Sequence, residues 1–254
     1  MTDQPPDPME AARRLARREP PRRFYKEATA ARGEGGFALL LDGRVARTPG
    51  RRPVLIAREA VARALAAEWD AQGEVLDSAA MPLTRLVNAA IDRVEREMAA
   101  VRAEIVAYAL SDLVCYRAEG PLTLIEAQNA AWSPLIDWAG EALGARLVVA
   151  RGVVAVIQDE SVAPAVERAV APLDALALAA LHTATTLTGS AIIALALGAG
   201  RIAAEAAWLA AHVDENWQMS QWGGDEAALA QRQIRWREME AAALILGTAG
   251  SGSL

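Results

Sequence analysis

Acid–base and nucleophilic chemistry needs particular residue types, and this chain has few of them. It contains two histidines, His182 and His212, and a single cysteine, Cys115. A hydrolase triad needs a base beside a nucleophile, and Ser190 lacks the glycine two residues later that a nucleophile elbow requires. The apolar surroundings of His182 favour a hydrogen-bonded core histidine, whereas His212 is expected on an outer helical face beside Trp208. Cys115 is expected to be a small buried residue, so the sequence predicts no catalytic residues.

Two pairs of adjacent carboxylates are the next candidates for chemistry. Asp214 precedes Glu215, and Asp225 precedes Glu226. Such pairs could hold a divalent ion, but no third type of ligand lies nearby, and one cysteine excludes a zinc site built on several thiolates. No glycine pattern matches a dinucleotide fingerprint or a phosphate-binding loop. We therefore expect no metal and no cofactor, and we expect these acids to face solvent or a protein partner.

The stretch ENWQMSQWGGDE, residues 215–226, combines two tryptophans with several acids. In a helix, Glu215, Met219 and Trp222 would share one stripe, and Trp217 would point elsewhere. A large aromatic ring beside a carboxylate and a thioether suits a protein-binding surface. Packing of Trp222 against a neighbouring helix fits the same spacing, so both interpretations stay open. A second stripe is typical of core contacts and comprises Leu209, Val213 and Trp217.

The balance of charges argues against a nucleic-acid partner. The net charge is −6, and phosphate binding needs a cationic surface. Glu10, Glu19 and several prolines interrupt a local cluster of basic residues near the N-terminus, which we expect to be a solvated arm. The arginines of this cluster are Arg13, Arg14, Arg17, Arg18, Arg22 and Arg23.

Residues 175–200 contain no Asp, Glu, Lys or Arg, and the run is long enough to be a candidate membrane span. Its histidine, four threonines and central Gly189 instead favour two short buried helices, at about residues 173–187 and 190–197. The first thirty residues lack the apolar core of a secretory signal, and their acids do not fit a mitochondrial presequence. We expect a cytoplasmic bacterial protein without membrane insertion.

The pattern of elements predicts an α+β fold. Residues 1–21 are expected to form a flexible tail, and residues 22–85 a small domain with an antiparallel sheet. The Asp-Gly pair of LDGR favours a tight hairpin, and a helix over residues 58–71 is expected to cover the sheet. Pro82 delays the following helix, which Thr84 could cap.

Residues 86–246 are expected to form a mainly helical domain. Its predicted helices include residues 94–113, 202–222 and 226–246. A hairpin-like insert is expected at residues 146–158, where two β-like pieces meet at Arg151-Gly152. The final residues, 247–254, are expected to be a second flexible tail.

Several short pieces of the chain, taken in order, match one known family. They are RFYK (residues 23–26), LDGR (41–44) followed by Thr48-Pro49, EWDAQ (68–72), MPLTRL (81–86), AID (90–92), SDLVCYR (111–117), PLIDW (134–138) and DENWQMSQWGGDEA (214–227). Over residues 22–246 the chain resembles the assembly-chaperone family for the α subunit of the F-type ATP synthase, found in mitochondria and α-proteobacteria. No single piece is specific, but their order and spacing together are.

The resemblance implies a small α+β domain followed by a helical one, and work that is not enzymatic. A member of this family would hold the unassembled α subunit, prevent its aggregation and hand it to the β subunit in the catalytic head. The resemblance also implies that an acid on the late helix matters for function, and Glu215 matches it best. We expect a monomer, in which Trp217 anchors the late helix to its own domain. The residues expected to bind the partner are Asp214, Glu215, Gln218, Met219 and Trp222.

Two other interpretations stay open at this point. One is a small-molecule enzyme with a site between the two domains, built from His182 and the segment 112–117, because domain junctions favour pockets. The other is a membrane-anchored assembly factor that uses residues 175–200 as a span.

Overall fold

A computed structural model describes residues 21–152 and 154–249. The predicted N-terminal tail, apart from Pro21, therefore lies outside the described residues, as do Arg13, Arg14, Arg17 and Arg18. The same holds for residues 250–254 of the predicted C-terminal tail.

The described chain begins with an antiparallel sheet of four strands. The strands are β1 (Ala28–Gly33), β2 (Gly36–Leu41), β3 (Arg44–Val45) and β4 (Leu55–Ile56). Strand β2 is central, because it pairs with each of the other three. Asp42 and Gly43, with φ angles of 47° and 76°, turn the chain between β2 and β3, and Leu41 faces Arg44 in the register. The Asp-Gly hairpin is confirmed, since both turn positions need the left-handed region.

Helix α1 (Glu59–Asp70) covers one face of this sheet and buries Val61, Ala62 and Leu65. The assignment of Arg23 to a solvated arm is wrong. Its guanidinium donates to four backbone carbonyls, including those of Asp70 and Gln72 at the end of α1, and it pairs with the Asp70 carboxylate at 3.2 Å. The RFYK piece thereby ties the start of the described chain to the end of α1.

Helix α2 (Pro82–Ala89) continues through a π-helical turn, Ala90–Val94, into α3 (Glu95–Leu110). Thr84 does not cap α2, contrary to expectation. The carboxylate of Glu68 on α1 instead accepts the backbone N–H groups of Leu83 and Thr84, each at 2.8 Å, and the Thr84 hydroxyl. Because a helix leaves its first N–H groups without partners, this carboxylate caps α2 from outside.

The segment around residues 146–158 contains no hairpin among its described residues, so this prediction is wrong. Strand β5 (Tyr116–Arg117) pairs in parallel with β6 (Ala150–Arg151). The side-chain amide of Gln158 accepts the N–H of Val148 at 2.8 Å and donates to its carbonyl at 3.1 Å. These side-chain bonds satisfy the Val148 backbone groups that a hairpin ladder would have paired.

Helix α4 (Leu122–Trp138) lies between β5 and β6 in the chain and ends in a π-helical turn, Ala139–Leu143. Helices α5 (Val162–Val170), α6 (Ala175–Thr188) and α7 (Ala191–Gly198) follow. Helix α7 is buried on every side, from Ala191 to Leu197. Its burial explains why this helix contains no charged residue. The two short buried helices are confirmed. Within the described residues, no helix is long and apolar enough to span a membrane.

The late helices are α8 (Ala204–Ala211), α9 (Val213–Trp222) and α10 (Glu226–Gly247). One continuous helix over residues 202–222 was expected, but the chain breaks at His212, with φ −116° and ψ 28°. Ring atom Nδ1 of His212 lies 2.7 Å from the Trp208 carbonyl and donates to it, while the His212 backbone N–H bonds to Leu209. The His212 side chain therefore donates to the Trp208 carbonyl, which in a regular helix would accept the backbone N–H of His212.

The buried apolar residues form one core that runs from Tyr25 to Leu246. It joins Leu39 of the sheet and Leu65 of α1 to Ile193 of α7 and Ile245 of α10. The α+β fold is confirmed, with a small antiparallel sheet followed by a mainly helical region. The domain boundary between residues 85 and 86 stays a prediction, and α2 crosses it.

Candidate partner-binding site

Helix α9 differs from the helices around it because none of its residues is buried. Two polar contacts hold it against α4. The Asp214 carboxylate accepts the side-chain amide of buried Gln128 at 2.7 Å, and the Trp217 indole N–H donates to the Thr123 hydroxyl at 3.2 Å. Trp217 thus anchors α9 to its own chain. Asp214, expected at the partner surface, lies on this anchored side.

The opposite side of α9 carries the other four expected residues. The Glu215 side chain is 58% exposed, and Trp222 is 75% exposed. Gln218 is exposed and Met219 is half-buried. The Trp222 ring meets the Trp217 ring edge to face at a centroid distance of 5.8 Å, so the two tryptophans are in contact although they lie on different stripes. This one ring contact leaves most of the Trp222 indole in solvent.

A cavity of about 420 Å³ opens between α9 and α10 and collects these four residues. Gly223 and Gly224 form its end, where the chain turns from one helix into the next. The rest of its wall comes from Asp225 and α10, and it includes Ala228, Leu229, Gln231, Arg232 and Arg235. The cavity therefore combines an apolar part with charges of both signs.

The chain as a whole is similar to known proteins. A family model described as ATP12 chaperone protein matches residues 22–140. The crystal structure of Atp12 from Paracoccus denitrificans is 43% identical, with a TM-score of 0.82, over 90% of this chain and 98% of that one. The chain belongs to the ATP12 chaperone family.

Two further relatives support this membership. A crystal structure of the Atu1473 protein, a candidate chaperone from Agrobacterium tumefaciens, is 43% identical with a TM-score of 0.87, over 98% of this chain and 93% of that chain. The protein atp12, mitochondrial, of Schizosaccharomyces pombe is 25% identical over 221 residues, which are 82% of this chain and 75% of that protein. The family model ends at residue 140, so it does not include α9 and α10.

Two arginines of α10 that were not predicted from the sequence form part of the cavity wall in this ATP12-family chain. Arg232 donates to the Asn216 side-chain oxygen at 2.6 Å and to the Met219 sulfur at 3.5 Å, and its guanidinium lies 6.0 Å from the centre of the Trp208 ring. Arg235 donates to the Leu187 carbonyl at 2.8 Å. Their spacing of three residues on one helix was the available signal, because such residues share a face.

His212 is buried next to Glu215 of the cavity wall, and its expected place on an outer face is wrong. The residue is 3% exposed, its ring is 4.0 Å from that of Trp208, and Nε2 is 3.9 Å from a Glu215 carboxylate oxygen. Burial lowers the pKa of His212, as do Arg232 and Arg235, against the opposing effects of the Trp208 carbonyl and Glu215. A neutral His212 leaves the negative charge of Glu215 available at the cavity rim.

A second cavity, of about 640 Å³, lies on the anchored side of α9, between this helix, α8 and α4. Leu209, Val213 and Trp217 line it together with apolar residues of α4. Leu209 is 57% exposed, so the expectation that this stripe is buried in the core is wrong for Leu209. Helix α9 therefore lies between two cavities.

The residues named for an enzyme site have other contacts. His182 is half-exposed, not a core histidine, and its Nε2 is 2.7 Å from a Glu104 carboxylate oxygen. Asp112 is fully buried and accepts the N–H groups of Val114 and Ile192 at 3.1 and 3.0 Å. Cys115 is buried as expected, and burial raises its pKa to about 12. Among the described residues, no group of three His, Cys, Asp or Glu side chains could hold a metal ion.

Proposed function

We propose that this ATP12-family protein is an ATP-independent chaperone for the α subunit of the F-type ATP synthase. It binds the subunit before assembly, prevents its aggregation and releases it to the β subunit as the catalytic head forms. In a bacterial cell this work takes place in the cytoplasm. Membership of the ATP12 family supports the proposal, and the S. pombe relative carries the atp12 name.

The observation that carries the proposal is the exposed apolar surface of α9. Trp222 is 75% exposed beside the cavity between α9 and α10, and no residue of α9 is buried. A tryptophan next to a pocket and a charged rim is typical of residues that dominate protein–protein binding. Leaving such a side chain in water has a cost that a partner can recover by covering it.

The five residues expected from the sequence have different parts in this proposal. Glu215, Gln218, Met219 and Trp222 contact the client, whereas Asp214 holds α9 to Gln128 and so positions the other four. Release needs no nucleotide if the β subunit binds the same client surface more tightly, because the stronger competitor then displaces the chaperone.

Light scattering of the purified, unassembled α subunit from the same organism tests the proposal. We expect an equimolar amount of this protein to suppress aggregation, and the addition of β subunit to release the client into an assembled complex. Unchanged scattering at every ratio would contradict a client-holding function.

Two substitutions test the surface itself. Trp222→Ala should weaken binding of the α subunit about thirtyfold, and Glu215→Lys about tenfold, as truncation of an anchor residue and reversal of an interface charge do. Phe24→Ala is the control for Trp222→Ala, because it removes an exposed aromatic ring near the start of the described chain. Glu205→Lys is the control for Glu215→Lys, because it reverses an exposed charge on α8. Equal affinity of the two variants and their controls, measured by titration, would show that the client binds elsewhere.

A further inference from the structure

The cavity between α9 and α10 contains two guanidinium groups that have no anionic partner in the part of the chain that the structure describes. Arg232 and Arg235 are both half-buried, and among the described residues no carboxylate oxygen lies within 4 Å of either. Glu215 and Asp225 line the same cavity, but neither forms an ion pair with them. Other arginines of the chain, such as Arg85 with Glu238, have a carboxylate partner.

The contacts that these two arginines make leave most of their donors unused. A guanidinium has five N–H groups. Arg232 uses its own on an amide oxygen and a thioether sulfur, which is a weak acceptor, and Arg235 donates to one backbone carbonyl. Partly desolvated guanidinium groups bind carboxylates well, because charge-assisted hydrogen bonds are about twice as strong as neutral ones.

The wall beside these donors is apolar. Met219, Trp222 and Leu229 form it, and Gly224 lies beside Met219 and Leu229 at the end of the cavity. An occupant that fits both parts of the cavity has a carboxylate and an adjoining apolar side chain. Glu215 and Asp225 balance the formal charge of the two arginines, so a simple anion without apolar contacts gains little.

We propose that this cavity binds an acidic side chain of the client, with Arg232 and Arg235 pairing with its carboxylate. Met219, Trp222 and Leu229 cover an apolar side chain next to it in the client sequence. The proposal rests on the chaperone function proposed above and specifies the chemistry that the site recognises. It makes α10, as well as α9, part of the binding surface.

The test compares Arg232→Gln and Arg235→Gln with Arg237→Gln, which removes an exposed arginine from the same helix. Affinity for the purified α subunit is measured at several NaCl concentrations. Each cavity variant should bind about tenfold more weakly, as expected for the loss of a partly buried charge pair, and its affinity should depend less on salt. Arg237→Gln should keep the wild-type affinity and salt dependence.

Two more variants separate charge from folding and packing. Arg235→Lys keeps the positive charge, so it should keep the salt dependence while it loses part of the affinity that a guanidinium fork provides. Leu229→Ala should weaken binding without a change in the salt dependence. Thermal melting followed by circular dichroism verifies that each variant is folded.

The outcomes distinguish this proposal from the one on which it rests. If the wild-type protein does not bind the α subunit, the proposed function fails. If the wild type binds and both Gln variants match Arg237→Gln in affinity and salt dependence, the chaperone function stands and the carboxylate site is wrong. If a Gln variant is unfolded, Arg235→Lys decides, because a lowered salt dependence in that folded variant contradicts the proposal.

Discussion

At the scale of single residues, a buried polar side chain can join segments that lie far apart in the sequence. Asp112 is fully buried, and its carboxylate joins the segment after α3 to the start of α7 through N–H groups of Val114 and Ile192. Sequence alone could place Asp112 in a motif, but it could not show that α7 supplies the partner, because that residue lies 80 positions away. The same limit applies to Arg232 and Arg235, which matter because neither has a carboxylate partner among residues 21–152 and 154–249.

Asp112 predicts a dependence of stability on pH. Burial raises its pKa from 3.8 to about 6, against the opposing effect of its hydrogen bonds. The folded state therefore holds this proton more tightly than the unfolded state does. The stabilising contribution is complete below pH 3.8 and is lost as the pH rises through about 6. The loss in the free energy of unfolding is up to about 3 kcal/mol.

Urea denaturation of the wild type and Asp112→Asn between pH 4.5 and 7.5 measures this effect. The difference in unfolding free energy between the two proteins should change with pH, because the amide does not titrate. Asp112→Asn also turns an N–H donor towards backbone N–H groups, which costs about 1–3 kcal/mol. Exposed Asp137→Asn should keep the wild-type profile, and a parallel profile for Asp112→Asn would contradict the assignment.

At the scale of elements, sequence periodicity predicted most helices, and local turn chemistry predicted the hairpin at Asp42-Gly43. The wrong predictions of the long helix, the hairpin and the cap of α2 share a cause, because in each case a side chain forms a hydrogen bond with a backbone group. His212 takes the Trp208 carbonyl and breaks the expected long helix, and Gln158 satisfies the backbone of Val148 in place of a strand. Glu68 replaces Thr84 as the cap of α2. Such contacts leave no periodic pattern in the sequence.

The cap predicts a specific loss of stability. Glu68→Gln should lower the free energy of unfolding by about 1–2 kcal/mol. An NH₂ group replaces one of the two carboxylate oxygens, and it cannot accept the backbone N–H that this oxygen accepts at the start of α2. Glu59→Gln on the same helix removes an exposed pair with Arg63 and the acid in the first turn of α1, and it should cost less than about 1 kcal/mol. Chemical denaturation measures both, and equal losses would rule out the capping role.

At the scale of the whole molecule, a single core joins the sheet to the last helix. Leu39 and Ile245 belong to the same set of packed buried residues, although they lie at opposite ends of the described chain. The pattern of residues changes from strands to helices near residues 85 and 86 and therefore predicts a domain boundary there. A change from a strand-like to a helix-like residue pattern indicates local secondary structure, whereas cooperative unfolding depends on packing between distant segments.

Calorimetry tests whether the described chain unfolds as one unit. We expect one transition whose calorimetric and van't Hoff enthalpies agree. Leu39→Ala in the sheet and Ile245→Ala in α10 should each lower the temperature of that same transition, by several degrees, since each leaves a cavity in the core. Two transitions, each affected by one variant alone, would establish two independent domains.

The absence of buried residues in α9 also has a thermodynamic consequence for the proposed release of a client. A helix held by so few interior contacts opens at low free energy, so its backbone amides exchange with solvent faster than those of α7. Under the proposed function, client binding immobilises this helix, and the entropy lost on ordering offsets part of the favourable contact energy. Such a surface binds weakly for its size, which is consistent with the proposed release of the client to the β subunit.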